Sequence, residues 1–498
     1  MVFVNGAVRS PKETLRVLVV PDYWMNPVGS CSSVLSALRL ARAMVDFGCD
    51  VTVIRPIPYR RQKIDSRKVV GWVDWVVRDD LYEGLHAVDV EMLSSPWLYM
   101  APTPEMAHFF GQRRGLPVVD VILNWIPSFS PSIKAMVSGF GMSDSVYLVD
   151  VPIVNIASDI LVEEKWFCGR WALEMQECLG ALVDVPTFTF ENEKRLWIRA
   201  LGKVLRPSTL VKFSEAKVVG LPIDIKVIEK VGHVNDPPVV FYGGRLTSAK
   251  VKNVDRQIQA AKRVRELGVD LRFLITTMES PSTESKAIES LGGGFLGVRY
   301  DMDGKDYLPV MQSADVFICV SETESGGVSW WEMFASGLVG VFMRFPWLDG
   351  LLPENYPFVV EKGDWKGLVA MLRKIVLDVP FARRAVADSG AYDWFEDTFY
   401  VENVARRMVS VCWGAAVDSR KVRVTRWLAD LAGNITAPSL SLREARMAMA
   451  HDADVDGIMK LIPDVSLRHA FLNAGWIDVG KDSVVLQRPG SKTLPEDV

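Results

Sequence analysis

Short apolar runs alternate along this chain with longer stretches in which apolar positions recur every three or four residues. Arg16–Val20 (RVLVV) has the length of a buried strand. Residues 32–47 then place Val34, Leu35, Leu38, Ala41 and Val45 on one helical face, and Gly48 closes that helix. Residues 50–54 (DVTVI) predict the next strand. Strand, helix and strand in this order form a βαβ unit, with residues 22–30 as the loop at its ligand-facing end. Further strands are predicted over 118–123, 145–149 and 151–156, and residues 181–190 read as a later helix-to-strand step.

The pattern restarts after residues 218–224. Asp236-Pro237-Pro238 opens a second run, with strands predicted over 239–242, 271–276, 316–320 and 340–343. Helices are predicted over 254–267, 307–313, 330–336 and 365–377. Alternating strands and helices imply parallel sheets, so the chain predicts two Rossmann-like α/β domains facing a cleft. Their spans are 1–225 and 226–414. The remainder, 415–498, differs. Helices over 440–450, 455–461 and 466–474, then a hairpin over 477–487, predict a small, mostly helical, winged-helix-like unit.

Composition narrows the function classes. The 498 residues carry a net charge of −4, so no global field draws the protein to nucleic acid or to an acidic membrane. No stretch of about 18 apolar residues occurs, so no membrane span is predicted. Residues 1–16 hold no apolar signal core. The six cysteines are scattered without metal-type spacing, so reduced thiols, a cytoplasmic location and no metal site are expected. Most of the 16 tryptophans read as core residues.

The chemistry concentrates in residues 321–337, read as strand end, glycine turn and helix. Glu324 lies at the turn and Glu332 about two helical turns on. Gly326 and Gly327 allow close backbone approach and leave amides free at a helix N-terminus. Two carboxylates there would repel phosphate but accept hydrogen bonds from hydroxyls, which points to a polyol such as a sugar. Farther upstream, Gly243-Gly244 follows a strand and precedes Arg245, Lys250 and Lys252, a combination suited to a pyrophosphate.

Taken together, Gly244-Arg245-Leu246, Lys252-Asn253, Ala314-Asp315-Val316 and Glu324 through Glu332 to Ala335-Ser336-Gly337 resemble the family-four group of retaining glycosyltransferases of the GT-B fold. The resemblance covers about residues 236–345, is looser over 15–55 and does not extend to the tail. It implies that Arg245 and Lys252 bind the donor diphosphate, with Lys250 an alternative to Lys252 because its spacing from Arg245 is closer to the family's. It implies that Glu332 reads the ribose hydroxyls. Glu324 would contact the donor sugar beside Gly326, Gly327 and Val328. Gly29 and Ser30 would face the diphosphate from the first domain, and Val298 and Arg299 would hold the base. Trp330 and Trp331 stand where the family has aliphatic residues, and no first-domain histidine of the family's kind is evident. The implied enzyme is a retaining hexosyltransferase that uses a UDP- or GDP-linked sugar and needs no cofactor.

The acceptor side is less marked. A basic run over 55–68 includes Arg60, Arg61 and Lys63, and Asn124 ends a predicted strand. Charge runs are commonly solvated loops. As a binding element this one would suit an anionic lipid surface or DNA phosphates. The winged-helix-like tail favours DNA, with sugar transfer to a hydroxylated or otherwise modified base after base flipping. A non-catalytic module that binds nucleotide-sugar or nucleic acid is the remaining reading. The joint presence of Arg245, Glu324 and Glu332 argues against it.

Overall fold

The computed structural model describes residues 14–21, 31–58, 79–92, 119–125, 147–150, 183–202, 207–228, 234–244, 246, 252–277, 279–302, 304–322, 324, 327–416, 477–479 and 484–486. The first sheet comprises β1 (Arg16–Val20), β2 (Asp50–Pro58), β3 (His86–Met92), β4 (Val121–Asn124), β5 (Tyr147–Asp150), β6 (Val185–Phe188) and β7 (Lys217–Val218). Its order is β3-β2-β1-β4-β5-β6-β7, and every pair is parallel. Parallel strands are covered on both faces, which is why β1 and β4 read as unbroken apolar runs. Helix α1 (Cys31–Asp46) packs Val34, Leu38, Ala41 and Met44 into that core, within one residue of the predicted span.

Several first-half elements differ from expectation. Strand β2 runs four residues past Ile54, so Arg55 belongs to the sheet and not to a basic loop. Its Nε donates to Asp89 Oδ1 at 2.5 Å, and its guanidinium lies over the Tyr82 ring. Asp89 lies within β3 and Tyr82 just before it, and the charges of Asp89 and Glu91 hid that strand in the sequence. Residues 185–188 form one strand, and the helices after it, α2 (Glu191–Leu201) and α3 (Pro207–Ser214), were not anticipated. The strand predicted over 151–156 lies outside the described residues.

The second sheet holds β8 (Val239–Gly243), β9 (Arg272–Thr276), β10 (Leu296–Arg299), β11 (Val316–Cys319), β12 (Val339–Met343) and β13 (Val359–Val360). They lie in the order β10-β9-β8-β11-β12-β13, all parallel. Helices α4 (Val254–Glu266), α5 (Thr283–Gly292), α6 (Gly304–Gln312) and α7 (Val328–Ala335) follow β8, β9, β10 and β11 in turn, and α8 (Trp365–Leu377) follows β13. Trp330 and Trp331 are fully buried here, as is Trp125 in the first core. Asp315 anchors the base of β11. Its carboxylate accepts from Val239 N–H at 3.0 Å, Asn235 Nδ2 at 2.7 Å and Arg383 Nη2 at 3.0 Å.

The chain crosses between the sheets twice, and the crossings touch. After α9 (Val379–Asp388) and α10 (Ala391–Phe399), a helix over 401–416 returns to pack Val404, Ala405, Met408 and Cys412 into the first core. Ile223 on the outward crossing exchanges backbone hydrogen bonds with Phe399 and Val401 on the return, each at 2.9 Å. Arg407 ties both strands of the crossing, donating to the carbonyls of Val219, Asp397 and Thr398. In the tail, β14 (Ile477–Val479) and β15 (Val484–Leu486) pair antiparallel as the predicted hairpin. The three tail helices lie outside the described residues.

Candidate functional site

Strand order reverses between β8 and β11, so the connections leaving those two strands go to opposite faces of the sheet. A crevice opens at their carboxyl ends, where open α/β sheets bind ligands. The segments following β8 and β11 carry the residues singled out in the sequence. At Gly243, an added Cβ would lie 2.4 Å from the Tyr307 hydroxyl, so glycine lets the strand pass under that ring. The Gly244 N–H donates to the Thr276 carbonyl at 3.1 Å and is therefore committed to the sheet, not offered to a ligand.

Two tethers join the segments. Asn253 caps α4 with a left-handed backbone (φ 50°), a conformation Asn tolerates. Its side-chain amide donates to the Val320 carbonyl at 3.0 Å and to Glu322 Oε1 at 3.2 Å. One residue earlier, the Lys252 ammonium donates to Glu324 Oε1. The Trp330 indole Nε1 donates to the same oxygen at 2.7 Å. Glu324 is thus held from both sides with only 6% of its side chain exposed. Gly327 caps the N-terminus of α7 with φ 64°, and a Cβ there would lie 2.9 Å from Trp330.

Glu332 lies farther along α7 and faces the other sheet. Arg39 of α1 donates from Nη2 to Glu332 Oε1 at 2.8 Å and from Nε to Asp224 Oδ1 at 2.9 Å. Burial pushes the Glu332 carboxyl above its ordinary range, and the adjacent Arg39 charge takes back part of that rise. For Arg39, burial works against the charge, but Glu332 and Asp224 outweigh it and hold the guanidinium above its usual value. Burial also lifts the Tyr307 hydroxyl well above the phenol range, with Glu332 adding to the effect.

Residues 224–390 match the family model described as glycosyl transferases group 1. The match spans a third of the chain. It contains every element that builds the crevice at β8 and β11. About four fifths of the chain aligns with solved structures at low identity. Sucrose-phosphate synthase from Thermosynechococcus elongatus aligns with a TM-score of 0.58 and 13% identity over 80% of this chain and 98% of that one. A glycosyltransferase from Rickettsia africae gives 0.53 and 11% over 81% and 98%. HepE from Anabaena, in complex with UDP and glucose, gives 0.53 and 11% over 80% and 100%. These likenesses establish the GT-B fold. The sequence matches no curated protein.

Within the matched segment, the structure brings Lys252, Glu324 and Gly327 together at the β8–β11 crevice. Val328 begins α7, beside Gly327. Val298 and Arg299 end β10, two strands from β8 at the sheet edge, about 10 Å away by strand spacing. Asn124 ends β4, fully buried next to the corresponding reversal of the first sheet. Gly29, Ser30, Arg60, Arg61, Lys63, Arg245, Lys250 and Gly326 lie outside the described residues. Among the described residues, no helix is long and apolar enough to cross a membrane. Sequence reasoning missed Arg39 and Asp224. A lone arginine on an amphipathic helix reads as a solvated charge, and only the packing of the two sheets reveals its partner. Trp330 is a core residue, as most tryptophans were expected to be, and its indole also donates a hydrogen bond to Glu324, which the sequence reading did not anticipate.

Proposed function

We propose that the protein transfers a sugar from a nucleoside-diphosphate sugar to an acceptor hydroxyl with retention of configuration. The observation that supports this reading is the Lys252–Glu324 pair joining the segments after β8 and β11, with Glu332 following on α7, in a stretch that matches the group 1 glycosyl transferase model. Lys252 and Arg245 would meet the diphosphate and stabilise the charge that develops as it leaves. Glu324, held by Lys252 and Trp330, would accept from hydroxyls of the donor sugar. Glu332 would accept from the ribose, with the base lying toward Val298 and Arg299. The bond from the anomeric carbon to the leaving phosphate oxygen breaks while the acceptor oxygen attacks on the same face. The departing phosphate oxygen takes the acceptor proton, so neither a protein base nor a metal is called for.

Donor hydrolysis without acceptor tests this reading, scored across UDP- and GDP-linked hexoses. UDP-glucose comes first because HepE holds UDP and glucose in the same fold. Release of the sugar with its original anomeric configuration, read by proton NMR, is the expected result. Binding without turnover across all donors would instead mark a non-catalytic module. Acceptors divide by a second assay: salt-sensitive retardation of duplex DNA supports transfer to a modified base, and its absence directs the search to hydroxyl-bearing lipids and small molecules.

A further inference from the structure

Glu332 belongs to the second sheet's domain, but its counter-ion comes from the first. Arg39 lies on α1 between Leu38 and Leu40, both buried in the first core. The Arg39 side chain points away from that core to α7, where Nη2 donates to Glu332 Oε1 at 2.8 Å. The Arg39 and Glu332 side chains each keep 12% of their exposure, while Asp224 keeps 47%. A carboxylate so far from water is costly to ionise unless a cation touches it. Reading hydroxyl donors requires the ionised form, because only then is the group purely an acceptor.

We propose that Arg39 is a positioning residue for the donor. From the first domain it holds Glu332 as an ionised, oriented acceptor for the vicinal hydroxyls of the donor's ribose, and Asp224 competes for the same guanidinium. This inference rests on the nucleotide-sugar reading of the site.

The groups facing Glu332 are Arg39 from α1, Asp224 from the crossing segment and Tyr307 from α6. Arg42, one turn after Arg39, faces Asp224 and Arg39 and donates to the Glu83 carbonyl at 3.0 Å. Removing Arg39 therefore makes Glu332 easier to protonate. Removing the Asp224 charge makes it harder, because a repelling carboxylate is lost and Arg39 is freed. A purely structural role for Arg39 would not produce shifts of opposite sign.

The test is calorimetric titration of UDP and of GDP into the full-length wild-type, R39Q, R39K and D224N proteins over a pH series. Protonation of the nucleotide's own phosphates is common to all four and cancels in the comparison. R39Q should bind roughly tenfold more weakly, the scale of a lost hydrogen bond to a charged group. It should also lose affinity at a higher pH than wild type. R39K, which keeps the charge, should fall between them, and D224N should lose affinity at a lower pH. An R39Q protein that melts earlier yet keeps the wild-type pH profile overturns the inference, as does a D224N shift in the same direction as R39Q. Should R39Q not fold, R39K and D224N carry the comparison, and wild-type profiles in both overturn it. A wild-type protein that binds neither nucleotide overturns the nucleotide-sugar reading itself, and this inference with it. One that binds while every variant keeps its profile overturns the Arg39 inference alone.

Discussion

The indole Nε1 of Trp330 donates to Glu324 Oε1 at 2.7 Å from a ring that is itself fully buried. The ring stacks on Phe317 at 6.1 Å and meets Tyr242 edge-on at 5.9 Å, so its direction is set by the core of the second sheet. The core thereby aims a hydrogen bond at the site. Trp330→Phe keeps an aromatic ring and removes the donor. The expected loss in kcat/KM for donor hydrolysis is roughly tenfold, one charge-assisted hydrogen bond's worth. Stability should fall by about 1–3 kcal/mol from the smaller ring. Hydrolysis assays beside thermal melts check both, and unchanged turnover in a folded Trp330→Phe protein would refute the role given to the indole.

The two lysines of the β8–α4 segment should not be equivalent. Lys252 reaches Glu324 and lies next to Asn253, whose amide ties the segment to Val320. Lys252→Met should lower donor turnover by roughly 100-fold, the scale of losing one preorganised charge-stabilising donor. Lys250→Met should cost less. Arg245→Ala should remove most activity, since no other cation in that turn stands at its position in the Gly-Arg-Leu pattern. The single-turnover rate at saturating donor separates these effects from weakened binding. An inverted order of the two lysine variants would assign the phosphate contact to Lys250.

Four strands of the second sheet were legible as apolar runs, Val316–Cys319 and Val339–Met343 being buried throughout, whereas β10, half exposed and ending in Arg299, and the two-residue β13 were not predicted. Helix α8 was legible from its apolar spacing, and the structure adds Asp364 as its cap, accepting from Gly367 N–H at 2.8 Å. Strand β3 was not, because Asp89 and Glu91 interrupt its apolar residues and its partner β2 had been read as ending at Ile54. The site divided along the same line. Glu324 and Lys252 lie on segments that follow adjacent strands, so motif order sufficed to pair them. Arg39 meets Glu332 only through the packing of one domain on the other, and no local pattern encodes that.

Gly220 sits where the two crossings touch, with φ 93°. A Cβ there would lie 2.2 Å from the Thr398 carbonyl, which is backbone and cannot swing away. Gly220→Ala should cost about 3 kcal/mol or more, combining left-handed strain of about 1–2 kcal/mol with that clash. Gly363 has a similar φ of 84° but nothing within 4 Å of an added Cβ. Gly363→Ala should therefore cost only the strain, about 1–2 kcal/mol. Urea unfolding of both variants isolates the contact, and equal losses would show that the crossing relaxes around the methyl.

The buried Arg39–Glu332 pair gives stability a pH dependence of definite sign. Burial raises the folded-state affinity of Glu332 for a proton above that of the unfolded chain, whose carboxyl keeps the ordinary value of 4.5. Between that value and the raised one, the folded protein binds more protons than the unfolded chain, so this group's contribution to stability falls as pH rises. Glu332→Gln cannot titrate and serves as the reference. The stability of wild type relative to Glu332→Gln should decline as pH climbs from 4.5 through the raised value and level off above it. Urea midpoints measured for both proteins across that range give the difference directly. A difference that instead grows with pH would mean that the Arg39 charge overcomes burial and holds Glu332 below its ordinary value. In that case removing Asp224 could add little to its ionisation.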